Sequence, residues 1–400
     1  MTAALEKHPR LRGVAIVLVA FALAGVIHAI GFGSWQGFHS GVDFNQDPFE
    51  DFAGPYHSQA VALVEGRGLQ PGFLYPPTLA IWLEPLGHWQ PGPAAWIWLA
   101  VLAAGGVALF LGGLSWLHRP GPALLFSYSL AFGLSFPWVH DMHWGQVSTL
   151  VWALTIWALR AWCLGHRPLA ALGLSLAISI KLYPAWFLLA FLLVGDRKGL
   201  VWVGFLSALW LFGLPATVIG PEATLDFYTA WWDRLRPSTA GTSLSSTWWH
   251  ADSTQFAPAV LARFWKGAGS LWLVMAWVLP LVGLGLILHG VRRCLRSGRF
   301  AIALVLLASA LPLVLHPSWV HYFVWLPWAL FFGWQSFGTL WARGILALGM
   351  ALGSTPFFFL VGGHPAYGRG GFLTLAALCL PLAYWLSEPR RNGGEAEGAS

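Results

Sequence analysis

Apolar runs long enough to cross a bilayer recur along almost the whole of this chain, and that recurrence limits the fold more than any other property. A helix needs about 17–25 mostly apolar residues to span ~30 Å of hydrocarbon, and a chain in lipid must satisfy every backbone polar group within itself. The runs are Leu11–Phe32, Pro93–Leu117, Pro122–Phe136, Val147–Leu164, Pro168–Leu182, Pro184–Gly195, Leu200–Gly220, Ser270–Gly290, Phe300–Leu315, Val320–Trp334, Leu340–Val361 and Gly371–Leu386. The reading is therefore an all-α polytopic membrane protein of about twelve transmembrane helices, several short or broken by proline. The residues around Lys181-Leu-Tyr-Pro184 interrupt what reads either as two tightly packed helices or as a re-entrant pair. Only 10% of the 400 residues are charged, whereas a soluble domain carries roughly a quarter, so a soluble globule is excluded.

Basic residues fix the expected orientation, because lysine and arginine are retained in cytoplasmic loops. With the N-terminus inside, Arg10, Arg12, Arg119, Arg160, Arg167, Arg197, Arg292, Arg293, Arg296, Arg299 and Arg343 fall on the inner face, and both termini are cytoplasmic. The pI near 9.5 then reflects anchoring at the inner membrane surface and not nucleic-acid binding. Cys163, Cys294 and Cys379 lie in or near spans and inner loops, so no outer disulfide is expected. Ala22-Leu-Ala24 resembles a signal cleavage site, but the apolar run continues through Phe32. Residues 1–387 read as one transmembrane domain and 388–400 as a disordered cytoplasmic tail rich in Gly, Glu and Arg.

The long loops, 33–92 and 221–269, fall outside. The first holds Asp43, Asp47, Glu50, Asp51, Glu65 and Glu84, and within it Glu50–Leu69 reads as an amphipathic interfacial helix with Phe52, Ala60, Leu63 and Val64 on its apolar face. Shorter outer segments add polar groups at span ends: Trp138–Gln146, Lys181–Pro184 and His316–Tyr322. Outer ends of consecutive spans are neighbours in a bundle, so these segments are expected to converge on one cavity.

Each candidate group has two readings at this level. Asp51 is either a general base, taking the proton of an attacking hydroxyl, or part of a solvated loop or helix cap with Asp43 and Asp47 in reserve. Lys181 either meets an anion such as a phosphate or snorkels to lipid headgroups. His321 either serves a phosphate or proton transfer or is a satisfied interfacial histidine. His140, Asp141 and His143 have ligand chemistry but undiagnostic spacing, which favours a structural or positioning role over a metal site. Most of the 27 tryptophans read as interfacial belt, leaving outer-loop Trp231, Trp232, Trp248 and Trp319 as sugar-stacking candidates. No phosphate-binding loop, dinucleotide fingerprint or nucleophile elbow occurs, which disfavours ATP-driven transport and direct use of a cytosolic nucleotide sugar.

Taken in order, Asp51-Phe52 with Tyr56 and Gly66, Phe73-Leu-Tyr-Pro-Pro77 with Tyr75 and Pro85-Leu86, Gly145-Gln146, Lys181-Leu-Tyr-Pro184 and Pro317-Ser-Trp-Val-His-Tyr322 resemble the GT-C membrane glycosyltransferases of glycosyltransferase family 87. The likeness spans most of Gly33–Phe332. It implies a GT-C helical bundle and a polyprenyl-phosphate-linked sugar as donor, mannose by default with arabinofuranose as the other candidate. It also implies a lipid or glycan acceptor glycosylated on the outer face of a bacterial cell membrane. Carried over by position, Asp51 is the base and Lys181 and His321 lie at the donor phosphate; Tyr56, Tyr75, Gln146, His140, Asp141 and Trp319 are the expected substrate contacts. No cofactor or metal is implied, because Lys181, Arg234 or Arg236 can supply positive charge. Two departures from the family pattern stand out: Ala53-Gly-Pro-Tyr-His-Ser-Gln-Ala60 replaces the usual tyrosine pair followed by alanines, and His321-Tyr322 replaces a histidine pair. Two other functions fit about twelve spans. A secondary transporter would show an internal repeat and midplane polar groups, neither of which is seen, and a non-catalytic assembly subunit would tolerate loss of Asp51.

Overall fold

A computed structural model describes residues 9–38, 49–70, 73–240, 254–264 and 270–387. Asp43, Asp47, the Thr242–Trp249 stretch and the expected tail 388–400 lie outside the described residues. Every regular element among the described residues is helical.

Four helices are long and apolar enough to cross a membrane: Leu11–Gly31, Pro91–Leu114, Arg197–Val218 and Val274–Arg296. The other expected spans are shorter apolar helices, including Pro122–Gly133, Arg167–Ile180, Phe300–Ser309, Leu340–Leu352 and Phe372–Trp385. Proline explains much of the difference from about twelve full spans. A proline in the first helical turn costs nothing, whereas one deeper inside removes a hydrogen bond and clashes with the preceding turn. Thus Phe300–Ser309 stops at Ala310 and a new turn begins at Leu311-Pro312. Similarly, Leu340–Leu352 ends before Thr355-Pro356 opens another.

One pair of interruptions is solved jointly. The helix Pro122–Gly133 ends beside Ser135, and the helix Leu340–Leu352 ends beside Ser354, and these two serines form an isolated antiparallel bridge. The amide of Phe136 donates to the Gly353 carbonyl at 2.9 Å, and the amide of Thr355 donates to the Leu134 carbonyl at 2.8 Å. Irregular backbone is tolerated in an apolar setting only when protein supplies its partners, and here each break supplies the other.

The core gathers around Phe300–Ser309, whose residues from Ile302 onward are all buried. Pro91–Leu114, Ser148–Cys163 and Leu326–Ser336 pack together there, with Trp152, Trp325 and Trp328 almost wholly buried between them. Small residues permit the closeness: a Cβ on Gly105 would lie 2.4 Å from the Leu150 side chain. By contrast, Leu11–Gly31 leaves most of its surface uncovered, with Leu18 and Ile30 exposed.

The expected helix over Glu50–Leu69 is realised in two pieces, a π turn Phe52–Tyr56 and an α-helix His57–Val64. Pro55 sits inside the first piece; it has no amide proton, and the turn widens around it. Phe52, Tyr56 and Ala60 are buried, and His57–Val64 packs against Pro77–Gly87. The apolar face of this segment therefore packs into protein, while Val64 remains exposed.

Candidate active site

The site is assembled by three chain reversals. The left-handed Gly145 (φ 68°) ends the helix Phe136–Trp144 and lets Ser148–Cys163 start three residues later. A side chain there would be strained, and its Cβ would lie 2.8 Å from Phe49 and 2.9 Å from Phe52. Gly145 also offers its carbonyl to the Trp98 indole N–H at 2.7 Å. Gln146, the next residue, is thereby carried into the protein, where it is 5% exposed. On the facing element, the Phe49 amide donates to the His143 carbonyl at 2.8 Å, which draws the acidic loop onto the Trp138–Gln146 segment just before Asp51.

The second reversal is Pro76-Pro77. Proline disfavours helix in the residue before it, so Tyr75 stays outside the helix Pro77–Gly87 and its ring meets Tyr56 edge-on with centroids 5.1 Å apart. The third is the end of Arg167–Ile180, where Lys181 becomes extended (φ −139°, ψ 134°) and Pro184 lies in the following 3-10 turn, Tyr183–Phe187.

These turns converge on Gln146. Its Oε1 accepts from Tyr56 Oη at 3.0 Å, Tyr75 Oη at 3.0 Å and Lys181 Nζ at 3.2 Å. Its Nε2 donates to Asp51 Oδ2 at 2.5 Å. Lys181 also donates to Ser148 Oγ at 2.7 Å and lies over the rings of Tyr75 and Tyr322, 5.3 and 4.8 Å from their centroids. At 4% exposure, Lys181 is buried within this cage and does not reach out to lipid headgroups.

Asp51 is half-buried, and among the described residues its Oδ1 takes no hydrogen bond. Burial pushes its carboxyl above the usual range, Glu50 adds to this, and the Gln146 bond and the Lys181 ammonium partly oppose it. A half-buried carboxylate with one oxygen tied and one available is chemically a base. Asp141 is a different kind of carboxylate. It is fully buried, and its Oδ2 accepts from the Thr149 amide at 2.9 Å and hydroxyl at 2.5 Å at the start of Ser148–Cys163. Burial raises its carboxyl too, opposed by Thr149 and by Lys181.

His321, 7% exposed, lies in the 3-10 turn Val320–Phe323, with its ring 5.9 Å from that of His140 at an angle of 29°. The turn is held by the Trp152 indole, which donates to the Tyr322 carbonyl at 3.0 Å. Trp319 is half-buried at the entry to that turn. The structure therefore joins Asp51, Gln146, Tyr56, Tyr75 and Lys181 in one network, with His140 stacked on His321 beside Tyr322. Among the described residues no group of three His, Cys, Asp or Glu side chains is placed to hold a metal, and His140, Asp141 and His143 do not form one.

No sequence motif singles out Ser148 and Thr149. Their signal is positional: they sit at the start of a helix two and three residues after Gln146, and one holds Lys181 while the other holds Asp141. Tyr322, read from the sequence as a departure, serves as a wall of the lysine cage.

Comparison with known proteins identifies a family. The sequence model of glycosyltransferase family 87 matches residues 73–317, more than half of the chain. A relative from Mycobacterium tuberculosis, described as a polyprenol-phosphate-mannose-dependent alpha-(1-2)-phosphatidylinositol mannoside mannosyltransferase, is 29% identical over 368 residues, covering 82% of this chain and 78% of its own. No solved structure matches.

Proposed function

The chain belongs to glycosyltransferase family 87, a membrane glycosyltransferase, and from that premise we propose that it transfers mannose from a polyprenyl phosphate to a lipid or glycan acceptor on the outer face of a bacterial cell membrane, with Asp51 as general base. The M. tuberculosis relative, whose description names a polyprenol-phosphate-mannose donor and a phosphatidylinositol mannoside acceptor, supports this donor and a lipid-type acceptor. The observation that carries the reading is the hydrogen bond from Gln146 to Asp51 within a network that ends on the buried Lys181.

The reaction needs three things, and the cluster offers a group for each. An acceptor hydroxyl attacks the anomeric carbon from the face opposite the phosphate, so a β-linked donor yields an α-glycoside. Its proton passes to the available oxygen of Asp51 as the new C–O bond forms. The bond from the anomeric carbon to the phosphate oxygen breaks, its electron pair stays on the polyprenyl phosphate, and the phosphate gains negative charge. Preorganised cationic donors in a water-poor site lower the energy of such a transition state. Lys181 is the donor assigned that task here, with His321 and Trp319 as further groups at the phosphate and sugar. Activation resides in the lipid phosphate, so no nucleotide is required in the chemical step. The residues 1–387 act in this reading as one transmembrane unit.

The test uses purified protein in lipid nanodiscs, polyprenyl phosphate carrying radiolabelled mannose, and a membrane lipid extract as acceptor. Label should move to an acceptor in the native protein and not in Asp51→Asn. Equal transfer by both proteins would remove Asp51 from the role of base. No transfer by the native protein, with the donor shown to bind, would overturn the donor assignment.

A further inference from the structure

Gln146 has a carboxamide whose orientation is dictated from two sides. Two phenols and an ammonium donate to Oε1, and the remaining polar atom of the side chain meets a carboxylate oxygen. Rotating the amide by half a turn would set its NH2 group against the Lys181 ammonium and its oxygen against the Asp51 carboxylate. The two phenols could turn their hydroxyls and accept, but the Lys181 ammonium only donates and the ionised Asp51 carboxylate only accepts, and these two groups hold Nε2 toward Asp51. The donors come from separate parts of the chain: Tyr56 from the turn after Asp51, Tyr75 from the segment before Pro77–Gly87, and Lys181 from the end of Arg167–Ile180.

We infer that Gln146 is a positioning residue for the base and not a contact for the sugar: it locks one oxygen of Asp51 and leaves the other turned to the acceptor. The inference rests on the reading of Asp51 as general base and deepens it. Buried at 5% exposure with its carbonyl triply engaged, Gln146 has little left to offer a substrate. A carboxylate free to rotate about its last bond presents either oxygen or neither, and fixing it maintains the near-attack geometry on which such steps depend.

The charged and titratable groups facing Asp51 or standing behind its partners are Glu50 beside it, Tyr56, Tyr75, Lys181, Asp141 beyond Lys181, and His143, whose carbonyl holds Phe49. None can replace the neutral N–H donor, because Gln146 alone supplies one to Asp51 among the described residues. A change at this position therefore reads out in the protonation of the base.

Gln146→Glu keeps the shape and the three bonds to one oxygen, but sets its second oxygen against Asp51 where an N–H had been. Two carboxylates so close share a proton. The acid limb of kcat/KM is expected to move to higher pH by about one unit or more, while the donor KM stays within about twofold. Gln146→Met keeps the chain length, removes the bond, and is expected to lower kcat about tenfold or more with donor KM unchanged. Monodispersity and the unfolding temperature in nanodiscs establish that each variant is folded. If the acid limb of Gln146→Glu stays in place, or if Gln146→Met raises donor or acceptor KM in proportion to the lost kcat/KM, Gln146 is a substrate contact and the inference is wrong. Asp51→Asn, measured beside them, separates the two readings. Turnover retained in Asp51→Asn overturns the base itself, whereas turnover lost there with the pH limb unmoved in Gln146→Glu overturns only the role of Gln146.

Discussion

Replacing Lys181, whose pKa burial lowers to about 7, by methionine would remove its cationic form from the site while nearly preserving the side chain's volume, so it separates stability from catalysis. The ammonium makes hydrogen bonds to Ser148 and Gln146 and two contacts with the faces of Tyr75 and Tyr322. Hydrogen bonds from a charged donor contribute about 1.5–3 kcal/mol each, and cation–π contacts about 0.5–2 kcal/mol each. Against these stands the cost of holding an ammonium at 4% exposure, several kcal/mol after relaxation. The opposing terms are of similar size, so the unfolding temperature should move by only a few degrees. Turnover should respond quite differently. Removing one group that stabilises developing charge costs about 2.7–4 kcal/mol, or roughly 100- to 1,000-fold in kcat. Lys181→Arg should restore less than about tenfold of that loss, because a planar fork does not replace a compact ammonium between two rings and a hydroxyl. The assay is single-turnover transfer of radiolabelled mannose in nanodiscs, with donor binding measured separately. A folded Lys181→Met protein that turns over at more than a third of the native rate would refute the assignment of Lys181 to the leaving phosphate.

Activity should also fall on acidification, because Asp51 is a base only when ionised and burial raises its pKa; the acid limb of kcat/KM should lie above the ordinary aspartate value of about 3.9. Lys181 opposes that rise, so in Lys181→Met the residual activity should show this limb at still higher pH, and an unmoved limb would contradict the coupling. Gly145→Ala combines left-handed backbone with a Cβ lying 2.8 Å from Phe49, and should destabilise the protein by about 1–3 kcal/mol while lowering kcat, as read by thermal unfolding and initial rates. Thr149→Val removes the hydroxyl bond to buried Asp141 and should cost about 1–3 kcal/mol; an unchanged melting temperature would argue against that bond.

The motifs that formed the site were legible as separate pieces, because proline and glycine punctuate them and because charge is scarce in so apolar a chain. Their pairing was not legible. Gln146 joins Asp51 across 95 residues and Lys181 across 35, and no local pattern encodes such a meeting. Lys181 shows the limit well: an ammonium at a span end suits an anion or a headgroup equally, and neither pattern foretells its burial beneath Tyr75 and Tyr322 with Gln146 and Ser148 as partners. Tryptophan shows another limit. A belt role describes exposed Trp96 or Trp341, whereas Trp98 and Trp152 are buried donors that brace the two turns of the site. Hydropathy continues across the backbone breaks at Ser135 and Ser354, because a hydropathy window registers side chains and not the fate of peptide groups.

That crossed pair of breaks has a consequence for how the molecule is made. The Thr355 hydroxyl and amide reach back 221 residues to a carbonyl at Leu134, so the first interrupted helix leaves the ribosome long before its partner exists. Until residues 353–355 arrive, that kink lacks the groups that complete it, and the amino-terminal half of the protein has an unfinished seam in lipid. A truncation before Gly353 would therefore leave the seam open although every residue of the Asp51–Gln146–Lys181 cluster would be present.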